Sequence, residues 1–171
     1  MKALDQRIFI LMFGLTKNKT SSYIVKNIAA QSSGFFLMTY GLSIVYLIMT
    51  RDLILLPFII GPGLSLLSVI VIRHFVKRKR PFELFDIEPL IVHEKGSSFP
   101  SKHGTSAFAI AFAMIWVHPL IAGIGIILAL LTGISRIMVG VHYPSDILGG
   151  LFIAIVMSQL TYFLSMMLMF N

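Results

Sequence analysis

Four stretches of this chain contain no lysine, arginine, aspartate or glutamate over a length that could cross a lipid bilayer. They are residues 27–50, 53–72, 104–135 and 147–170. A helix needs about 20 apolar residues to span the hydrocarbon core. Because lipid offers the backbone no hydrogen-bond partners, a chain with such stretches is restricted to helices or closed barrels. Uninterrupted apolar runs of this length are typical of membrane-spanning helices.

The third stretch is long enough for two short spans. His118-Pro119 stands in its middle, and proline breaks a helix and disfavours helical backbone in the residue before it. We therefore predict a tight turn there and five membrane-spanning helices in total. The predicted spans are residues 31–50, 53–72, 102–117, 119–138 and 145–169.

Residues 1–30 are expected to form an interfacial helix. The apolar run from Ile8 to Leu15 is too short for a span, and three lysines after or near it would lie at the lipid headgroups. Asp5 interrupts the segment, so it does not resemble a signal peptide. The predicted fold class is an all-α, polytopic membrane helix bundle. It forms a single domain, residues 1–171, with the bundle at 31–171 and loops bearing the site at 73–103 and 135–146.

Composition agrees with a membrane protein. Only 12% of the 171 residues are charged, against about 25% in soluble domains. There is no cysteine, which excludes a disulfide, a thiolate nucleophile and a cysteine-ligated metal. The net charge of +7 favours anionic lipids or an anionic substrate. Because the aromatic residues lie within apolar runs and not along a basic stripe, we expect no nucleic-acid partner.

The first polar cluster follows the second predicted span, in the run from Arg73 to Pro81. If the helix continues, Arg73 and Arg80 lie two turns apart on one face. Guanidinium groups suit phosphate oxygens and stay charged at any working pH. The alternative is that the basic run binds anionic headgroups. Three residues between the two arginines are expected to do so: Lys77, Arg78 and Lys79.

The second cluster is Pro100-Ser101-Lys102-His103. Ser101 precedes an apolar helical run and is a natural N-cap. The free amides of Lys102 and His103 would then point toward the loop and form an anion site, and His103 could protonate a leaving oxygen. The alternative is a plain helix cap with an interfacial histidine.

The third cluster begins at Ser135-Arg136 and continues to His142 and Asp146. Asp146 lies one turn beyond His142, so its carboxylate can accept the proton of one imidazole nitrogen and leave the other free as a nucleophile. Arg136 adds a third cation. The alternative is a His–Asp pair that only orders the start of the last helix. We favour the functional interpretation because ionisable groups near hydrocarbon usually serve a function.

Counting the predicted crossings places all three clusters on one face of the membrane, which favours a single site. His118 would lie on the opposite face and is expected to be structural. His74 and His93 lie near the clusters and could be accessory. A metal hydrolase is an alternative, because His103, His142 and Asp146 could supply three zinc ligands. The three arginines argue against it, since they would repel the metal ion.

The three clusters, written Basic-x6-Arg-Pro, Pro-Ser-x-His and Ser-Arg-x5-His-x3-Asp, resemble the type 2 phosphatidic acid phosphatase (PAP2) superfamily over residues 73–150. The resemblance implies a metal-independent membrane phosphatase without a cofactor. It implies that His142 attacks phosphorus and forms a phosphohistidine, that Asp146 orients it, and that His103 protonates the departing oxygen and then activates water. The residues that would hold the phosphoryl oxygens are Arg73, Arg80, Ser101, Lys102 and Arg136.

The chain departs from the family pattern at two positions. The family usually has lysine where this chain has Arg73, which keeps the charge. It usually has glycine where this chain has Lys102, and glycine lets a phosphate approach the backbone closely. Lys102 must point its side chain away or supply a cation for a second phosphate, which would favour a diphosphate substrate.

The substrate lipid and the side of the membrane that the site faces are predicted by different arguments. The chain resembles bacterial undecaprenyl pyrophosphate phosphatases, with phosphatidylglycerophosphate or phosphatidate as alternative substrates. Of the fourteen lysines and arginines, only Arg51 lies opposite the predicted site, so the positive-inside rule places the site in the cytoplasm. The usual orientation for recycling the undecaprenyl carrier places it outside. The expected location is the cell membrane, and the two arguments place the site on opposite sides of it.

Two other classes of protein are weighed against a phosphatase. A lipid-binding or transport module would not need the intact set of His103, His142, Asp146 and three arginines. A vanadate-dependent oxidase shares this kind of phosphate pocket, but five apolar spans suit a substrate that lives in the bilayer.

Residues 82–99 are expected to form a lid or to pair with the basic run through acidic side chains. These are Glu83, Asp86, Glu88 and Glu94.

Overall fold

The computed structural model describes residues 2–93 and 95–169, and within them the chain forms seven α-helices and no strand. This confirms the predicted all-α class. Two short 3-10 turns, Leu15–Lys17 and Met114–Trp116, supplement the helices. The helices are α1 (Lys2–Gly14), α2 (Lys19–Thr50), α3 (Leu55–Phe75), α4 (Pro81–Phe85), α5 (Lys102–Ala113), α6 (Pro119–Met138) and α7 (Pro144–Met169).

Four helices in the described part of the chain are long and apolar enough to cross a membrane, namely α2, α3, α6 and α7. The remaining predicted span, residues 102–117, is also helical, but α5 has only 12 residues before its 3-10 turn. A helix of that length spans about 18 Å, less than the roughly 30 Å of hydrocarbon. α5 packs against α3, α6 and α7, and most of its residues are buried. The bundle thus has four long helices around a short central one.

The N-terminal helix is present, but it is shorter than the predicted interfacial segment. α2 begins at Lys19, because the side chain of Asn18 accepts a hydrogen bond from the Thr20 N–H at 2.8 Å and caps the helix there. Residues 19–30 therefore extend the first long helix. α1 packs against α6 and α7, and its Phe9 is only 1% exposed, so α1 is a part of the bundle.

The helix α3 does not continue to Arg80, which was the condition for Arg73 and Arg80 to share one helix face. α3 ends at Phe75, and Arg80 has extended backbone with φ −73° and ψ 157°, the conformation favoured before a proline. The Glu83 carboxylate accepts the Arg80 N–H at 3.0 Å and starts α4 as a new helix. Arg73 and Arg80 thus reach the site from different elements.

Three parts of the chain meet at one end of the bundle. They are residues 76–101 between α3 and α5, the N-terminus of α5, and residues 139–143 between α6 and α7. The Ser101 N–H donates to the Asp146 carbonyl at 3.1 Å, and the Leu90 N–H donates to the Val139 carbonyl at 3.0 Å. The predicted turn at His118-Pro119 is confirmed and lies at the opposite end, where α6 begins.

Candidate active site

His142 lies in the short connection between α6 and α7, and its side chain is fully buried. Its Nδ1 faces Asp146 Oδ2 at 3.4 Å, and the same oxygen accepts the Tyr143 N–H at 2.8 Å. The contact is the one expected from their spacing. The other ring nitrogen, Nε2, is buried and has no hydrogen-bond partner among residues 2–93 and 95–169.

The surroundings of His142 keep its imidazole neutral. Burial lowers the pKa of His142 to about 4, although the hydrogen bond with Asp146 opposes this shift. A neutral imidazole that donates through Nδ1 to a carboxylate carries a lone pair on Nε2. That is the protonation state a nucleophilic histidine needs.

Each of the three predicted site arginines donates one hydrogen bond to a backbone carbonyl, and Arg73 and Arg80 lie close enough to His142 for their charges to act on it. The pairs are Arg73 Nε with Pro100 O at 2.9 Å, Arg80 Nη1 with Val141 O at 3.1 Å, and Arg136 Nη2 with Ala29 O at 2.5 Å. These contacts hold the guanidinium groups in place before any substrate arrives.

Some guanidinium donors are left over. The Nε atoms of Arg80 and Arg136 are buried and unpaired within the described residues, whereas buried donors are normally paired. Burial and the charge of Arg73 lower the pKa of Arg80 to about 10, so it is still a cation at neutral pH. Two cations as close as Arg73 and Arg80 are stabilised by an anion between them.

The start of α5 has the predicted capped geometry. The Ser101 hydroxyl accepts the Gly104 N–H at 3.2 Å, and Ser101 is completely buried. Lys102 is exposed and His103 is half-buried, and both line a cavity of about 590 Å³. The helix N-terminus adds a partial positive charge beside this cavity. Its lining residues are Arg73, Arg80, Val92, His93, Lys95, Gly96, Ser97, Lys102 and His103.

His93 is closer to the centre of the site than its place in the sequence indicates. Its ring centroid lies 6.1 Å from that of His103 and 6.3 Å from that of His142. Burial lowers the pKa of His93 to about 4, and the charges of Arg80, Arg136 and Arg73 act in the same direction. No local motif marks this residue, because the loop brings it over the site only in the folded chain.

Arg78 was expected at the lipid headgroups with Lys77 and Lys79. The two lysines are exposed, but Arg78 is only partly exposed, and its Nη1 donates to Asp146 Oδ1 at 2.8 Å. His74 is exposed at the end of α3 and does not line the cavity. Arg78 is thus a site residue that sequence reasoning assigned elsewhere.

The acidic residues of the 82–99 loop do not pair with the basic run as one interpretation expected. Within the part of the chain that the structure describes, Glu83, Asp86 and Glu88 form no ion pair. Glu83 instead accepts the backbone N–H of Arg80. Glu94 lies outside the described residues. Across the described ranges, no three His, Cys, Asp or Glu side chains are grouped to hold a metal ion.

This chain is similar to known proteins in both sequence and fold. Residues 52–169 match the family model of the PAP2 superfamily. The chain is 30% identical over 163 residues to the undecaprenyl-diphosphatase BcrC of Bacillus subtilis (strain 168), covering 93% of this chain and 83% of that protein.

Two crystal structures share the fold over most of their length. Aquifex aeolicus LpxE superposes with a TM-score of 0.75 at 27% identity, over 91% of this chain and 93% of that one. A transmembrane PAP2 type phosphatidylglycerolphosphate phosphatase from Bacillus subtilis superposes with a TM-score of 0.73 at 25% identity, over 94% of this chain and 84% of that one.

Proposed function

This chain belongs to the PAP2 superfamily and is a multi-pass membrane lipid phosphatase, and from that premise we propose that it converts undecaprenyl pyrophosphate to undecaprenyl phosphate. The proposed reaction passes through a phosphohistidine on His142 and needs no metal ion. The catalytic unit is taken to be the whole bundle as one domain.

The observation that carries the proposal is the arrangement of His142. Its Nδ1 faces the Asp146 carboxylate, while Nε2 is buried and unpaired within residues 2–93 and 95–169. Nε2 attacks the terminal phosphorus, and the bond from phosphorus to the bridging oxygen breaks. Arg73, Arg80, Arg136, Ser101 and the amides at the start of α5 hold the three oxygens whose charge develops in the transition state.

His103 acts in both steps of the proposed reaction. In the first step its protonated form gives a proton to the departing undecaprenyl phosphate. In the second step it takes a proton from a water molecule, which returns the enzyme to its starting state. That water attacks phosphorus, the N–P bond breaks, and inorganic phosphate leaves. His103 suits this role because it lines the cavity with Arg73 and Arg80.

A diphosphate substrate is supported by the number of cations in the cavity. Lys95 and Lys102 line it in addition to Arg73 and Arg80, which provides partners for a second phosphate group. The similarity to an undecaprenyl-diphosphatase over 93% of the chain agrees with this choice.

Phosphatidylglycerophosphate is the second candidate substrate, and phosphatidate a third. The fold similarity to a phosphatidylglycerolphosphate phosphatase favours the former. The concentration of lysine and arginine at the site's end of the bundle also favours it, because a cytoplasmic site suits phospholipid synthesis.

The test is phosphate release by the purified protein in detergent and EDTA. Undecaprenyl pyrophosphate, phosphatidylglycerophosphate and phosphatidate are offered in parallel to the wild type, to His142→Ala, and to His118→Ala as a matched control from the opposite end of the bundle. We expect the fastest release from the pyrophosphate, none from His142→Ala, and normal release from His118→Ala. A fully active His142→Ala variant would overturn the mechanism, and a preference for another lipid would overturn the substrate.

A further inference from the structure

Asp146 forms an ion pair with a cation that the proposed phosphate site does not include. Its carboxylate is completely buried, and a buried carboxylate is strongly destabilised unless it is paired. Oδ2 is occupied by His142 and the Tyr143 N–H. Oδ1 accepts from Arg78 Nη1 at 2.8 Å, so Arg78 holds the carboxylate from the side opposite His142.

Arg78 is in turn held in place by several contacts. Nη1 also donates to the Ser145 hydroxyl at 2.6 Å, and Nη2 forms an ion pair with Asp5. The guanidinium carbon lies 4.1 Å from the centroid of the Tyr143 ring, a cation–π contact. With both Nη atoms bound to protein groups, and with Arg78 absent from the cavity lining, this arginine is not placed to bind the substrate.

Asp5 connects this cluster to the N-terminal helix. Its Oδ1 accepts the Ser145 N–H at 2.9 Å, and its Oδ2 accepts the Ser145 hydroxyl at 2.6 Å. Burial works to raise the pKa of Asp5, but the hydrogen bonds from Arg78 and Ser145 outweigh it and lower the pKa. Phe9, one turn further along α1, packs edge-on against Tyr143 with the ring centroids 5.7 Å apart. α1 therefore contacts the start of α7 with a charged and an aromatic side chain.

We propose that Arg78 and Asp5 are positioning residues of the reaction: Arg78 holds Asp146 against His142, and Asp5 on α1 holds Arg78. This inference rests on the proposed role of His142 and Asp146. It makes α1, which lies outside residues 52–169 of the family match, a part of the catalytic machinery. A small displacement of Asp146 would turn the His142 ring away from phosphorus, and misplacements of about 1 Å can cost about 100-fold in rate.

The experiment measures kcat and KM on the preferred lipid for Arg78→Ala, Arg78→Lys and Asp5→Asn. Lys79→Ala is the matched control for Arg78, because it removes the same charge from the same extended segment at an exposed position. Asp52→Asn is the control for Asp5, since Asp52 Oδ1 also accepts a backbone N–H near the start of a helix, that of Ile54 at 2.9 Å, but at the other end of the bundle. Rates are normalised to the folded monodisperse fraction.

We expect Arg78→Ala and Asp5→Asn to lower kcat by about 10- to 100-fold, with KM changed less than about threefold. The kcat of Arg78→Lys should lie between those of Arg78→Ala and the wild type, since one ammonium cannot bridge two carboxylates as a guanidinium can. Added guanidinium ion should restore part of the kcat of Arg78→Ala, because the Arg78 side chain is 26% exposed and its place can be reached from water. Both controls should keep wild-type values.

Three results would overturn the inference. They are a wild-type kcat in both Arg78→Ala and Asp5→Asn, a rise in KM with kcat unchanged, or a kcat that neither lysine nor guanidinium improves. If Arg78→Ala does not fold, Asp5→Asn and Arg78→Lys decide the question, because both retain the size of the native side chain. Failure of the proposed function is seen separately, as activity that survives in His142→Ala.

Discussion

His142 combines two opposing influences at a single side chain. Burial disfavours its charged form, while the Asp146 carboxylate favours it, and burial dominates. The result is a neutral ring with one nitrogen bound and one unpaired among the described residues. The same balance that suits the ring to the proposed nucleophilic role also makes the folded state sensitive to acid.

We expect the protein to lose stability as the pH falls from 6.5 to about 4. The pKa of His142 is lowered from 6.5 to about 4 in the folded state, so within this window the unfolded chain binds a proton that the folded chain does not. The contribution is complete above pH 6.5 and is lost as the pH approaches 4, roughly 3 kcal/mol in all. Thermal unfolding in detergent between pH 7 and pH 4 measures it.

His142→Gln is the control for this titration, because glutamine binds no proton in that range. The variant should show a weaker pH dependence of its unfolding midpoint. Part of the dependence should remain, since the pKa of His93 is also lowered to about 4. Identical pH profiles for the variant and the wild type would contradict the prediction.

Lys102 is expected to set the preference for diphosphate over monophosphate lipids. It stands where the family usually has glycine, it is exposed at the start of α5, and it lines the cavity beside Lys95. Lys102→Gly should lower kcat/KM for undecaprenyl pyrophosphate about tenfold, the effect of one lost charged hydrogen bond, and leave that for phosphatidate unchanged. Parallel assays on both lipids, with Lys77→Gly as control, measure the ratio of the two kcat/KM values. An unchanged ratio would refute the idea.

At the scale of helices, the site depends on how closely α7 approaches α5. A Cβ atom at Gly150 would lie 2.5 Å from Thr105 Oγ1 and 3.4 Å from the Ser101 carbonyl. Small residues permit such close approach in membrane bundles. Because α7 carries Asp146 one turn before Gly150, this contact sets the distance between the His142–Asp146 pair and the start of α5, which carries His103.

Gly150→Ala should therefore impair both stability and catalysis. The added methyl group has to displace the first turn of α5, which we expect to cost about 1–3 kcal/mol and to lower kcat at least tenfold. Gly123→Ala on α6, where nothing lies within 4 Å of the added atom, should be neutral or stabilise by up to about 1 kcal/mol. Unfolding in mixed detergent–SDS micelles and kcat measure the two effects. Similar behaviour of the two variants would show that the close contact is unimportant.

At the scale of the whole molecule, the charges are distributed unevenly between the two ends. The long helices place the site and the N-terminus at one end and Arg51 at the other. Four cations are predicted to bind phosphate, namely Arg73, Arg80, Lys102 and Arg136. Even without them, nine of the fourteen lysines and arginines lie at the site's end, against Arg51 alone. The positive-inside rule then predicts a cytoplasmic site.

Labelling of single cysteines tests this orientation, because the chain has no cysteine of its own. Val92→Cys at the site's end and Leu53→Cys at the opposite end change no charge, and both side chains are well exposed, 102% and 68%. A membrane-impermeant maleimide should label Leu53→Cys in intact bacteria and Val92→Cys only after permeabilisation. The reverse result would place the site outside and favour recycling of the undecaprenyl carrier on that face.

The predictions that hold are those that depend on neighbours in the chain. The apolar runs, the proline at position 119 and the serine cap at position 101 locate α6 and α5, because span length, proline geometry and capping act over a few residues. What neighbours in the chain do not determine depends on contacts with distant segments. α3 does not continue to Arg80, because residues 97–98 hold residues 76–80 as an extended segment, with the Ser98 N–H donating to the Arg78 carbonyl at 2.9 Å.

The sequence by itself determined the class of fold and the contact between His142 and Asp146, because long charge-free runs leave few structures possible in lipid and a spacing of four residues needs only one helical turn. Tertiary structure decided which distant groups complete the site. Asp5 forms an ion pair with Arg78, and the ring of His93 lies 6.1 Å from that of His103 and 6.3 Å from that of His142. Such contacts depend on how the helices pack and how the loops cross them, and no local pattern of residues encodes that geometry.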